Sequence, residues 1–294
     1  MGVRQFVELQ QRGVIGVSGG DARDFLQGLI TNDMGRVSAN RAIYAALLTP
    51  QGKFLHDFFI TQAGEQRFFL DCDGERLMEL GQRLATYKLR AAVEIADLRD
   101  EWQIAALIGR DSAAAVGLTE DAGACGGVAG GYACVDPRHA GLGVRSCLPR
   151  GTARGLLLDA GFAAGDFADY EHLRLSLGVP DGSRDIAAEK ATLAEAGFEA
   201  LNGVDFDKGC YVGQEVTTRM KHRGTARKRL LPLRLLGDTP LPGTPVLAGD
   251  REIGETRSAS GDLALALFRI DRLEDAGDEP LSVGGQPASL VQSS

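Results

Sequence analysis

Asp205-Phe206-Asp207-Lys208-Gly209-Cys210-Tyr211-Val212-Gly213-Gln214-Glu215 is the stretch of this chain that says most about its fold and chemistry. Gly209 and Gly213 bracket a cysteine and a tyrosine. Glycine reaches positive φ without strain and lets another segment or a ligand come close. Beyond Gly213, Val216 and Met220 stand four apart and Gly224 is a stop signal, which predicts a helix over 214–223. Cys210 then lies just before a helix amino terminus with Lys208 beside it. Both features favour a thiolate, so Cys210 and Lys208 are the candidate reactive residues. A buried cysteine in a tight turn is the competing reading.

Outward from this stretch the chain reads as strands interleaved with helices. Val14–Ser18 is an apolar strand; Gly19-Gly20 breaks it, and Asp21 can cap a helix bearing Phe25, Leu26, Leu29 and Ile30. Ala42–Leu48 and Phe54–Ile60 are strands joined by the turn Thr49-Pro50-Gln51-Gly52. Arg67–Leu70 adds a strand, Asp73 can cap a helix carrying Leu77, Leu80 and Leu84, and Ala92–Ala96 closes the unit. A second unit begins at Trp102–Ile108, with strands at Tyr132–Val135 and Gly143–Leu148, helices near 152–160 and 166–177, and a loop at 178–183. Past Gly224 short strands alternate with Pro/Gly turns, at Leu230–Leu236, Arg251–Arg257 and Leu263–Arg269. The fold class is therefore α+β. Residues 1–226 hold two layered units with a boundary near 97–101, and 227–294 form an all-β module.

Composition narrows the function classes. Hydrophobic residues make up 44% and charged residues 24%, enough apolar material for real cores. The net charge of -8 opposes nucleic acid and anionic membrane surfaces, so no stable nucleic-acid binding is expected. No run of about 18 apolar residues is present, so no spanning helix is expected. Cys72, Cys125, Cys134, Cys147 and Cys210 are scattered and form no C-x-x-C, so neither a disulfide framework nor a metal set within one chain is read. A reduced compartment fits this pattern. Met1 to Gln11 shows no apolar h-region and no Arg/Ser-rich presequence, and the expectation is a cytoplasmic bacterial protein.

Lys208-Gly209-Cys210-Tyr211-Val212-Gly213-Gln214-Glu215 resembles the K-G-C-[FY]-x-G-Q-E signature of the YgfZ/GcvT family of folate-binding proteins, which includes bacterial YgfZ and mitochondrial factors for late iron–sulfur assembly. The resemblance extends to Phe25-Leu26-Gln27-Gly28-Leu29-Ile30-Thr31-Asn32-Asp33, to Leu48-Thr49-Pro50-Gln51-Gly52-Lys53, to Tyr87-Lys88-Leu89-Arg90, and to Glu171, Arg174, Gly178 and Pro180. It implies the glycine-cleavage T-protein fold: two α+β subdomains and a carboxy-terminal β-barrel around a central channel. It implies an assistant in iron–sulfur cluster assembly or repair, linked only indirectly to tRNA thiomethylation, rather than a stand-alone enzyme. Cys210 would be the working thiol, able to ligate a transient cluster shared with a partner, since one cysteine cannot complete a four-thiolate site.

The same resemblance implies tetrahydrofolate or a derivative as ligand. A pterin needs an aromatic or apolar face and a carboxylate or amide at its edge. Tyr170 is the candidate stacking ring, Asn32 the amide, Arg174 the partner of a glutamate carboxylate, and Asp57 the edge carboxylate, with Asp181 and Asp185 as alternatives. His56 and Asp57 alternate across a strand, so one of them faces the channel. A basic run of Arg219, Lys221, Arg223, Arg227, Lys228 and Arg229 reads either as a solvated face or as a patch for a polyglutamate tail, RNA or an acidic partner. The alternative function is a folate-dependent aminomethyltransferase. Against it, the T-protein's acidic pair is replaced here by His56-Asp57, and its R-L-E-A-G by Arg174-Leu175-Ser176-Leu177-Gly178.

Overall fold

A computed structural model describes residues 3–128, 130–224 and 226–291, with the side chain of Arg223 excepted. The first part of the chain runs β1 (Gln5–Glu8), β2 (Arg12–Ser18), α1 (Ala22–Gln27), β3 (Ile43–Leu48), β4 (Phe54–Gly64), β5 (Arg67–Asp73), α2 (Leu77–Lys88) and β6 (Glu94–Asp97). Strands β2 to β6 make an antiparallel sheet ordered β3-β4-β5-β2-β6. Strand alternation divides its residues between two faces. Phe58, Ile60 and Leu70 turn to the helices, where Leu26 of α1 and Leu77, Leu80 and Leu84 of α2 close the core. Each such leucine contributes about 1.5–3 kcal/mol over leaving it exposed. Asp73 is not the cap expected of it: the N-cap of α2 is Arg76, which has no side-chain cap, and Asp73 Oδ1 instead accepts from the backbone N of Glu75 and Arg76 in the turn before the helix.

The second unit follows: β7 (Trp102–Ile108), α3 (Ser112–Ala115), β8 (Cys125–Val128), β9 (Gly131–Val135), β10 (Val144–Pro149), α4 (Ala153–Asp159), β11 (Ala163–Ala164), α5 (Phe167–Ser176) and α6 (Gly182–Asp185). Its sheet is ordered β11-β1-β7-β10-β9-β8. Residues 5–8, unassigned in the sequence reading, therefore cross over to pair with β7. The stretch 178–183 is not wholly loop either, since α6 starts at Gly182. The two sheets meet inner face to inner face through Val14, Phe69 and Leu98 against Val7, Ile104 and Ile108.

Residues 186–213 wrap irregularly over the first sheet and lead into α7 (Gln214–Arg223). The helix ends at Gly224, whose φ of +59° is the left-handed cap that glycine provides. The carboxy-terminal module is β12 (Lys228–Leu235), β13 (Pro245–Ala248), β14 (Arg251–Ser260), β15 (Leu263–Arg269), α8 (Ile270–Ala276), β16 (Leu281–Val283) and β17 (Gln286–Leu290). Its strands close as β12-β15-β14-β13-β16-β17 around Leu233, Val246, Ile253 and Phe268. Leu175 of α5 packs on Leu263 and Leu265, seating the barrel on the second unit. Among the described residues no helix is long and apolar enough to cross a membrane.

Candidate functional site

The segment around Cys210 has no regular structure, and its shape comes from what grips it. Thr31 Oγ1 donates to Gly203 O at 2.7 Å, Asp205 N to Thr31 O at 3.0 Å, and Val212 N to Gly28 O at 3.3 Å. Lys208 reaches the end of α1, where Nζ donates to the carbonyls of Gln27, Ile30 and Asn32 at 2.7, 2.7 and 2.8 Å. An ammonium has three N–H donors, and all are taken up here. Lys208 is thus a tether, with no donor left for a neighbouring sulfur. Burial lowers its pKa to about 8, opposed by Asp33 and Asp205. The two segments that read as separate motifs, 25–33 and 208–215, are the two sides of one hydrogen-bonded unit.

The two glycines of the motif differ in kind. Gly213 has φ +84°, and a Cβ there would lie 2.6 Å from Thr49 O and 3.1 Å from Gly52 Cα. The hairpin turn 49–52 and the cysteine loop therefore touch backbone to backbone. A Cβ at Gly209 meets nothing within 4 Å, because that residue faces open space. Gln214 Oε1 accepts from Tyr211 N at 3.1 Å, closing the turn before α7. The Tyr211 ring is buried, with Lys208 Nζ 5.0 Å from its centroid. Its hydroxyl has no partner among the described residues, and burial pushes its pKa up. Glu215 is exposed and pairs with Arg219.

Cys210 is exposed, whereas Cys72, Cys125, Cys134 and Cys147 are buried. Burial pushes those four thiols up, Cys125 to about 11. The loop thus presents one accessible thiol. No cluster of three or more His, Cys, Asp or Glu placed for a metal ion occurs among the described residues. In the basic run, Arg219 and Lys221 are paired with Glu215 and Glu199.

The residues expected to hold folate are all engaged internally. Asn32 donates to Tyr44 O and Asn202 O at 2.8 and 2.7 Å, and its Oδ1 accepts from Asp33 N. Arg174 is 1% exposed and donates to Glu171, Val179 O, Asp185 and Ser258. The Tyr170 hydroxyl accepts from Arg138 at 3.2 Å and Arg145 at 3.3 Å, with its ring in the inter-sheet core. Asp57, not His56, faces inward; it accepts from Tyr44 OH at 2.9 Å. Burial raises its pKa, Asp181 adds to this, and Arg12 opposes. Asp181 pairs with Arg184, and Asp185 with Arg174. His56 lies on the opposite, α2 side, 3.4 Å from Glu79, and burial lowers its pKa to about 4.

Between the sheets stands a network that the sequence reading did not assign. Arg12 and Arg145 share Asp71 at 2.7 and 2.6 Å, and Arg138 holds Asp136 at 2.8 Å. The Arg145, Arg138 and Arg12 guanidinium carbons lie 3.9, 4.8 and 5.6 Å from the Phe59 ring centroid. Only about 20 Å³ of free space adjoins Asp71, Arg145 and Phe59, room for a water. A pterin does not fit this arrangement and could enter only by displacing the ion pairs. The space between the two sheets is here a packed ionic core, whereas a cavity of about 320 Å³ lies between Asp185, Lys190 and the barrel's Lys228, Glu255 and Arg257.

Comparison with known proteins places the chain. Residues 4–123 match the GCVT N-terminal domain, and residues 227–294 the CAF17 C-terminal beta-barrel domain. The human iron–sulfur cluster assembly factor IBA57, mitochondrial, is 34% identical over 299 residues, covering 95% of this chain and 82% of its own. The chain belongs to the IBA57 family of iron–sulfur cluster assembly factors. The mouse IBA57 is 32% identical, with 96% of this chain and 81% of its own covered. The Mycosarcoma maydis homologue is also 32% identical, over 82% of this chain and 60% of its own. The glycine cleavage system aminomethyltransferase T of Bartonella henselae superposes with a TM-score of 0.80 over 99% of this chain and 85% of its own; at 17% identity it shows the fold alone. The narrower assignment to the YgfZ branch gives way to IBA57, and with it the tRNA link tied to that branch. The expectation of a bacterial, cytoplasmic protein is also overturned, because the IBA57 relatives are mitochondrial proteins of eukaryotes.

Proposed function

We propose that this IBA57-family chain assists iron–sulfur cluster assembly by presenting Cys210 as one ligand to a cluster shared with a partner protein. The observation that carries the reading is the lone exposed thiol on a loop pinned at both ends. A cluster takes four ligands, commonly thiolates, so the remaining ones come from the partner or from small thiols. Pinning removes the ordering cost that a mobile loop would add on complex formation. Lys208 and Gln214 hold the loop, Tyr211 anchors it in the core, and Gly213 lets it lie on the hairpin. Glu215 lies outside this grip, on the exposed side of α7. The body over 1–226 carries this surface, and the barrel over 227–294 is a supporting module. Folate carries no step in this reading, because Asp57, Asn32, Tyr170 and Arg174 already have internal partners.

The test is rescue of cells lacking the endogenous protein with wild type or Cys210→Ser, scored by [4Fe–4S] enzyme activity and by glycine cleavage. Loss of the first alone supports the proposal. Full rescue by Cys210→Ser refutes it.

A further inference from the structure

Cys125 and Cys134 stand directly opposite each other on β8 and β9. Their pairing is of the closer kind. Cys125 N donates away from β9, to Asn40 O at 2.9 Å, and it is Val135 N that turns to the β8 side, donating to Ala124 O at 2.9 Å. Opposed antiparallel residues without mutual hydrogen bonds have Cα atoms about 4.5 Å apart. That falls within the roughly 4.4–6.8 Å span of disulfides. Both thiols point to one face, where they cluster with Ala42.

We infer that Cys125 and Cys134 form a reversible dithiol–disulfide pair that fastens β8 to β9. The position of β8 gives the bond its consequence. It is the edge strand of its sheet, and its sequence Cys-Gly-Gly-Val offers little side-chain packing to hold it there. Along its other side it clasps the first unit. Ala42 N donates to Gly123 O at 2.8 Å, and Arg41 bridges Ala124. Ala42 leads straight into β3, whose far end and following turn meet Gly213. Oxidation therefore fixes the strap between the two sheet units, upstream of the hairpin on which the Cys210 loop rests.

The chemistry balances with a small-molecule disulfide as oxidant. The Cys125 thiolate attacks one of its sulfurs, forming a mixed disulfide and expelling one thiolate. The Cys134 thiolate then attacks the Cys125 sulfur, closing the protein disulfide and expelling the second thiolate. Two protons pass from the cysteines to the two released thiols, and two electrons reduce the oxidant. Burial raises both thiols, so reaction waits on local opening of the edge strand and quickens as pH rises.

The test uses the full chain carrying Cys210→Ser, which removes the exposed competitor. It is incubated folded with excess glutathione disulfide, then blocked in denaturant and mapped by mass spectrometry. The expected result is a Cys125–Cys134 linked peptide that dithiothreitol reverses, with Cys72 and Cys147 still blockable. Amide exchange at 40–42 and 123–128 is expected to slow in the oxidised form. Adding Cys134→Ser is expected to stop the reaction at a mixed disulfide on Cys125. The inference is overturned if Cys125 and Cys134 both stay blockable, or if they link only after the chain is unfolded. Should the double variant fail to fold, mapping of the Cys210→Ser chain alone decides.

Discussion

Replacing Gly213 by alanine tests whether the cysteine loop is built on the hairpin, with Gly209→Ala as its internal control. At Gly213 φ is +84°, and the added Cβ would sit 2.6 Å from Thr49 O, 3.0 Å from Leu48 Cβ and 3.1 Å from Gly52 Cα. The left-handed conformation costs an L-residue about 1–2 kcal/mol. Two of the three contacts are with backbone, so relief requires the turn to move, and such overpacking costs about 1–3 kcal/mol more. A total of about 2–5 kcal/mol, at roughly 2–4 °C per kcal/mol for a chain of this order, lowers the melting temperature by about 4–20 °C. Gly209→Ala points into open space and is expected to stay within about 0.5 kcal/mol of wild type. Calorimetric melting gives the stability, and the rate of Cys210 alkylation by a maleimide reports whether the loop has shifted. Equal melting of the two variants would refute the reasoning, since the motif's glycines would then be interchangeable.

Lys208→Met is expected to strand the carbonyls of Gln27, Ile30 and Asn32 and to cost about 1–3 kcal/mol in urea unfolding. Arginine should not rescue it, because a planar fork does not match three converging acceptors. Asp71→Asn removes the anion shared by Arg12 and Arg145 and is expected to cost about 3–5 kcal/mol, a loss that would be absent if the network were solvated. His56 supplies a pH test. Its pKa falls from 6.5 to about 4 on folding, so between those values the unfolded chain binds the extra proton. That makes wild type lose stability as pH drops through the window, by up to about 3 kcal/mol. His56→Gln should flatten this slope between pH 6.5 and 4, and parallel curves for the two proteins would rule the assignment out.

Several elements were legible because local chemistry alone decides them. The predicted helix 214–223 and the strands Trp102–Ile108 and Leu263–Arg269 match the observed α7, β7 and β15 residue for residue. Each has clear apolar patterning and Gly or polar stops. β8 was missed because Cys-Gly-Gly-Val carries no alternation, and β1 because four residues give too short a period. The ionic core was illegible for another reason. Asp71 meets partners 59 and 74 residues away, and an arginine destined for burial reads in sequence like any surface arginine. The cysteine motif stood out by composition, yet its division of labour did not: spacing put Lys208 next to Cys210, while the fold turns the ammonium to the end of α1.

That division of labour bears on how the protein can act. Between the sheets guanidinium groups lie over Phe59, and α6 packs so closely that a Cβ on Gly182 would fall 1.9 Å from Asp57 Oδ1. The glycine needed there is one that brings backbone against a carboxylate, which is packing. At the surface the order is reversed: Gly213, Lys208 and Gln214 maintain a shape that buries nothing at Cys210. One thiol held in the open on a pinned loop is the arrangement that the proposed sharing of a cluster with a partner protein requires. If Cys210 is the ligand proposed, its sulfur finds the remaining partners across an interface, with the two sheets and the barrel serving to hold the loop still.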